Sequence, residues 1–165
     1  MSIRNNIWYD FVNSKYGDEY LDLYIGRQRW IRKLFRIFTI VLSGSAFATA
    51  LQDLKVSTAI FSGLILLSQG ITSIENFIIH SEDDITKLCD LRLQYYKNTV
   101  MLEQLWHNLE TKNIDETEAA RLYFLSKSDT SILQELSNKV NVRKYKGLKA
   151  KSDIIIRNYI NTYYA

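Results

Sequence analysis

One stretch of this chain is almost free of charge. Residues 37–79 carry only three charged side chains in 43 residues, and two of these, Asp53 and Lys55, stand together near the middle. The arms on either side of that pair, residues 37–51 and 56–74, are uncharged. As helices they would reach about 22 and 28 Å, and the hydrocarbon core of a bilayer is about 30 Å thick. The pattern therefore predicts a membrane-spanning helical hairpin over residues 37–79.

The alternative is a hairpin buried at the centre of a soluble bundle, because the same stretch also contains several Ser, Thr and Gly residues. A helix on the outside of a soluble bundle normally carries a charged stripe, and neither arm has one, which favours the membrane. Five basic residues precede the first arm: Arg27, Arg29, Arg32, Lys33 and Arg36. The loop between the arms has only Lys55, so the positive-inside bias predicts that both ends of the chain are cytoplasmic.

The composition favours helices throughout. Proline is absent and there are only 6 glycines, so the usual breaks of β-rich or disordered chains are missing. Apolar spacing predicts helices over residues 7–36 with a break at Gly17, over 82–110 and over 153–164. Acidic residues at its start predict a helix over 115–125, and the capping-box spacing of Ser131 and Gln134 predicts one over 131–140. The isoleucine run of the last segment would also suit a short strand.

The predicted fold class is all-α, with a two-transmembrane hairpin and a cytoplasmic helical domain in an oligomeric bundle. Residues 1–36 would be amphipathic and juxtamembrane helices, 37–79 the hairpin, and 80–165 the cytoplasmic domain with a basic C-terminal segment. The N-terminal helices would lie either on the membrane surface or against the cytoplasmic helices.

Residues 82–110 contain apolar positions at alternating steps of three and four. These positions are Leu88, Leu91, Tyr95, Asn98, Leu102, Leu105 and Leu109. The spacing is typical of a coiled-coil seam between chains, in which Asn98 would fix the register. It is equally typical of the buried face of one helix in a small bundle, and the sequence leaves both interpretations open.

Charge is segregated in the C-terminal half. Residues 139–157 carry seven basic side chains against one acidic side chain, whereas residues 80–138 carry six against eleven. The candidate anion-binding residues are Lys139, Arg143, Lys144, Lys146, Lys149 and Lys151. Their partner would be anionic lipid headgroups, a nucleotide or oligonucleotide, or the acidic stretch of another subunit, and a purely solvated segment is the remaining alternative. No duplex nucleic acid is expected.

The second arm of the hairpin carries polar side chains within about 100° of one another on a helix. They are Thr58, Ser62, Gln69, Thr72, Ser73 and Asn76, with Glu75 on the flank. Polar groups at bilayer depth face protein or water rather than lipid. This polar stripe would either pack against Ser43, Gly44 and Ala48 of the first arm or line a pore formed by several copies, where Glu75 could form a charged ring.

Catalysis finds no support in the motifs. His80 and His107 are too far apart in sequence for a metal-binding pair on one helix, and Cys89 is the only cysteine. Glu103 and His107 are four residues apart, but such neighbours are common on helix surfaces. The chain is therefore expected not to be an enzyme and to need no metal or other cofactor.

The order of segments resembles the SLATT family of bacterial two-transmembrane proteins. The resemblance covers about residues 25–110 and combines IGRQRWIRKLFR, the loop QDLK, a second span ending in LILLSQGITSIENF with Ser68, Gln69 and Gly70, and a helix starting SEDDITKLCDLRLQYY. It implies a pore-forming or membrane-disrupting effector in the inner membrane, acting as a homo-oligomer in nucleotide-signalled antiviral defence. A cyclic nucleotide or a signalling protein would then be its partner.

Two other functions compete with this one. The hairpin could be an anchor for a membrane-tethered scaffold or accessory subunit that recruits a cytoplasmic protein. It could also form the core of a soluble helical interaction module.

Overall fold

The computed structural model describes residues 2–43, 70, 80–129 and 131–164. Its helices are α1 (Ile3–Ser43), α2 (Glu82–Glu110), α3 (Glu116–Asp129), α4 (Ser131–Lys139) and α5 (Lys146–Tyr163). These described ranges contain no strand, and the predicted all-α class is confirmed. Contacts divide the chain into two units, the first formed by Met1–Ile25 with Asp84–Ala165 and the second by Gly26–Asp83. The predicted division at residues 36/37 and 79/80 stays a prediction.

The first unit is built on an antiparallel pair, α1 and α2. The contacts run in opposite chain directions along the two helices. Asn98 of α2 donates to Ser14 of α1, and Arg92, earlier in α2, donates to Asp18, later in α1. Two apolar clusters lie on either side of these polar contacts. The Tyr24 cluster contains Tyr20, Leu21, Tyr24, Ile25, Ile85, Leu88, Leu91 and Val140. The Phe11 cluster contains Ile7, Phe11, Leu102, Leu105, Ala119 and Tyr123.

The seam predicted on α2 is thus the face that packs inside one chain. Leu88, Leu91, Leu102 and Leu105 are buried in the two clusters. The polar position of the seam, Asn98, donates its amide N–H to the Ser14 hydroxyl at 2.6 Å, so it is satisfied by α1. Of the two interpretations of the seam, this geometry matches the buried face of a small bundle.

The break predicted at Gly17 is wrong, because α1 runs through this residue without interruption. Glycine weakens a helix interior by about 1 kcal/mol relative to alanine, which is why it reads as a break in a sequence. Here a Cβ on residue 17 would lie 2.5 Å from Cδ1 of Tyr95, far inside van der Waals contact. The missing side chain therefore lets the Tyr95 ring pack directly against the α1 backbone.

A buried carboxylate on α1 forms an ion pair with α2 near the centre of the helix pair. Asp18 is 4% exposed and accepts from Nε of Arg92 at 3.0 Å. The same guanidinium also pairs with Asp22 through Nη1 at 2.5 Å. Pairing of this kind offsets the cost of removing a carboxylate from water.

The smaller helices pack on this pair. α3 begins where Asp115 Oδ1 caps the Glu118 N–H at 2.7 Å, and it runs four residues beyond its predicted end. Its Tyr123 hydroxyl donates to Asp10 on α1 at 2.6 Å, which ties the two helices together. α4 begins at Ser131 as predicted.

The last helix begins seven residues earlier than predicted, at Lys146. The residues before it are held by Tyr20 of α1, whose hydroxyl donates to the Arg143 carbonyl at 2.8 Å and accepts the Tyr145 N–H at 2.9 Å. The strand alternative for this segment is wrong. A strand would place Ile154 and Ile156 on one face, whereas here Ile156 is buried and Ile154 is 58% exposed, as helical spacing requires.

The second unit is described only at residues 26–43, 70 and 80–83. Arg32 of α1 donates to the His80 backbone carbonyl and pairs with the Glu82 carboxylate. Among the described helices none is both long and apolar enough to cross a membrane. Of the predicted hairpin, residues 44–69 and 71–79 lie outside the described residues.

Candidate functional site

The predicted pore or packing residues fall outside the described part of the chain. This applies to Gly44, Ala48, Thr58, Ser62, Gln69, Thr72, Ser73, Glu75 and Asn76. Ser43 is the last residue of α1. Their roles stay predictions.

The described residues just before this region form an exposed apolar stripe on α1. Trp30, Leu34, Ile37 and Ile40 follow one another at steps of four, three and three, and are 46 to 63% exposed. Such spacing places them on one face of a helix. Lys33, also exposed, falls between Ile37 and Ile40 on that face, and the exposed Arg36 lies at its edge beside Ile40. An apolar stripe of this kind, with an aromatic ring and long basic side chains, is suited to the interface between a bilayer and water.

The six predicted anion-binding residues are all exposed, but they do not form one cluster. Lys139 ends α4 and pairs with Glu135 at 2.5 Å, and this hydrogen bond lowers the pKa of the Glu135 carboxyl. Arg143 and Lys144 lie in the connection before α5. Lys146, Lys149 and Lys151 lie on α5, where Lys149 is about 60° to one side of Lys146 and Lys151 about 140° to the other side at about 100° per residue.

The rotation of α5 defines a face that the sequence analysis did not identify. Residues of this outer face are all exposed: Lys146, Gly147, Ala150, Lys151, Ile154, Arg157, Asn158 and Asn161. Ser152 and Ile156 on the opposite side are buried. The outer face of α5 thus combines three cations with one large apolar side chain, Ile154, and the exposed Asp153 borders it beside Lys146 and Arg157. Charge counting included Arg157 in the basic segment but did not place it on one face with Lys146 and Lys151, because the predicted helix began at residue 153 and left those lysines outside it.

A second polar arrangement holds α5 to α2. One carboxylate oxygen of Glu103 accepts hydrogen bonds from the hydroxyls of both Tyr159 and Tyr164. The Tyr164 ring also packs edge-on against Trp8 and Trp106, each with 5.2 Å between ring centroids. Burial, followed by the hydrogen bond to Glu103 and then by its charge, raises the pKa of Tyr159 to about 12 and raises that of Tyr164 as well. Sequence reasoning missed this contact, since its partners lie 56 and 61 residues apart.

An open cleft of about 480 Å³ lies beside these tyrosines. It is lined by Val100, Glu103, Gln104, His107, Asn108 and Tyr164. Glu103 and His107 therefore do share a cleft, as their spacing permits. The carboxylate of Glu103 is already occupied by two tyrosine hydroxyls, which fits an anchor for α5 better than a general base. In the described ranges no three potential ligands come together as a metal site.

No family model matches this chain, and no curated protein or solved structure matches it either. The resemblance to the SLATT family therefore stays a prediction.

Proposed function

We propose that this chain is a two-span protein of the bacterial inner membrane that acts as an oligomeric effector, permeabilising the membrane on a cytoplasmic signal. Its membrane part would be the hairpin of residues 37–79. The observation that carries the proposal is the exposed stripe of Trp30, Leu34, Ile37 and Ile40. This stripe lies on the helix that enters the low-charge stretch, and burying it in lipid would remove apolar surface from water.

The helical bundle would receive the signal. α1 ends within the low-charge stretch and α2 begins directly after it, and the two helices pack against each other in the first unit. A ligand that binds one packing arrangement of this pair better than another shifts the population toward that arrangement. In an oligomer, such a shift would rearrange the hairpins so that the polar stripe opens a path for water.

Dye release from liposomes tests this proposal. The purified chain is expected to release an encapsulated dye, either by itself or once a candidate cyclic nucleotide is added. The double variant Gln69→Leu with Ser73→Leu is expected to abolish release, because both side chains fall on the polar stripe.

The matched control is Ser57→Leu with Ser68→Leu, which lie off that stripe and should leave release intact. If the chain never releases dye, the effector function is wrong. If the stripe variant releases it as well as the control does, the stripe serves only for packing.

A membrane-anchored scaffold is the second candidate, favoured by one observation on α3. Phe124 and Leu125 are 64 and 55% exposed, and exposed apolar neighbours of this kind are typical of protein contacts. Overexpression separates the two functions. An effector should depolarise the host membrane, whereas a scaffold should leave the membrane potential unchanged. A Phe124→Ser with Leu125→Ser variant should still depolarise the host if the chain is an effector.

A further inference from the structure

We propose that the outer face of α5 binds anionic lipid headgroups at the membrane surface. The inference deepens the proposed function, and rests on it for the presence of a membrane, by naming the lipid class that the basic segment recognises. It selects one partner from those that the charge pattern alone leaves open.

The cations of α5 are concentrated on its exposed side. Lys146, Lys151 and Arg157 lie exposed on one side of α5, and the nearest acidic residue of the helix, Asp153, lies on the flank. Arg143 and Lys144 add two exposed cations immediately before the helix. Exposed cations concentrated near a surface are attracted to the anionic lipids of the cytoplasmic leaflet.

An apolar side chain lies among these cations. Ile154 is 58% exposed and lies one turn from both Lys151 and Arg157. Ser152, at 0%, and Ile156, at 7%, are buried on the other side of α5, so that the packing of the helix directs Ile154 outward. An apolar group flanked by long basic side chains is suited to the boundary between headgroups and acyl chains.

The convex shape of this face disfavours free nucleotides and nucleic acid as ligands. Small ligands bind in concave sites, and no residue of the outer face of α5 lines either the cleft beside Glu103 or the one beside Glu110. Single-stranded nucleic acids require aromatic side chains on which bases stack, and the outer face of α5 has none. A broad anionic surface is the partner that a convex helix with cations and one isoleucine fits.

A spin label at residue 154 tests the inference in the full chain. Ile154→Cys is made in a Cys89→Ala background, and the label is measured with vesicles of phosphatidylcholine alone or mixed with phosphatidylglycerol. We expect that phosphatidylglycerol makes the label lose access to a water-soluble nickel chelate and gain access to oxygen. Ala150→Cys, on the same face, provides a second labelling position.

Charge removal supplies the matched comparison. Lys146→Gln with Lys151→Gln should abolish the change in label accessibility. Lys97→Gln with Lys112→Gln removes two exposed lysines elsewhere and should preserve it. A label that stays equally exposed to water in both vesicle types overturns the inference. Protection of the label by inorganic pyrophosphate or a single-stranded oligonucleotide without vesicles would also overturn it.

The outcome separates this inference from the proposed function. If the chain inserts into both vesicle types while the label stays in water, the inference fails and the hairpin stands. If the chain sediments only with phosphatidylglycerol vesicles and the label is protected, the inference stands and the hairpin fails.

Discussion

At the scale of single residues, Gly17 illustrates how one contact changes the meaning of a side chain. In the sequence it reads as a helix break, and in the fold it is the point at which the Tyr95 ring meets the backbone of α1. Gly26, in the same helix, has no atom within 4 Å of a Cβ placed on it. The two glycines therefore differ only in what lies beside them.

Gly17→Ala is expected to destabilise the protein and Gly26→Ala is not. Alanine improves helix propensity at both positions, but at Gly17 the added methyl group overpacks the contact with Tyr95. We expect the free energy of unfolding of Gly17→Ala to be about 1–3 kcal/mol below that of Gly26→Ala. Chemical denaturation measures both. Equal stabilities would show that Tyr95 does not pack on Gly17, and Tyr95→Leu should restore part of the loss.

The hydrogen bonds from Tyr159 and Tyr164 to Glu103 predict that the free energy of unfolding falls at high pH. The pKa of Tyr159 is raised from 10.0 to about 12 in the folded chain. The unfolded chain then loses this proton first, so the contribution to stability is complete below about pH 10 and is lost as the pH rises through about 12. Unfolding midpoints should therefore fall less steeply between these pH values in Tyr159→Phe with Tyr164→Phe than in the unmodified chain. The exposed Tyr9→Phe serves as the control, and identical slopes in all three proteins would contradict the assignment.

At the scale of elements, the sequence predicts the bounds of a helix well where the spacing of that helix's own residues sets them. It predicts them poorly where contacts with residues far away in the chain set them. The bounds of α2 coincide with the prediction, because charged residues open the helix and a regular seam runs through it. The start of α5 was placed seven residues too late, since Tyr20 holds the preceding segment from 123 and 125 residues away. The outer face of α5 can be identified only when the helix is known to start at Lys146. The hydrogen bonds to Glu103 arise from the packing of α5 on α2, so periodicity alone could predict neither feature.

The contact between Asn98 and Ser14 predicts an energetic coupling between α1 and α2. A double-mutant cycle with Ser14→Ala and Asn98→Leu should give a coupling of about 0.5–1.5 kcal/mol, the usual net value of such a hydrogen bond. Denaturation of the four proteins in the cycle measures it. The competing coiled-coil interpretation predicts that Asn98→Leu changes the number of associated chains. Light scattering should show that number unchanged, and a change would favour a seam between chains.

At the scale of the whole molecule, the account depends on where residues 37–79 lie. The described residues give a helical bundle, an apolar stripe on α1 that precedes this segment, and a basic face on α5. A bilayer gives all three a role in one protein: the bundle as sensor, the stripe at the interface, and the basic face on the headgroups. The proposed roles of the bundle and the stripe depend on the hairpin, whereas headgroup binding by the basic face of α5 is tested separately.

Alkaline carbonate extraction of membranes from cells expressing the full chain tests the hairpin most directly. Carbonate strips proteins held only by charge, such as a chain bound through the cations of α5, because high pH and dilution release peripheral contacts. The account predicts that the chain stays in the membrane pellet and dissolves only in detergent. Release into the supernatant as a monodisperse protein in plain buffer would contradict it.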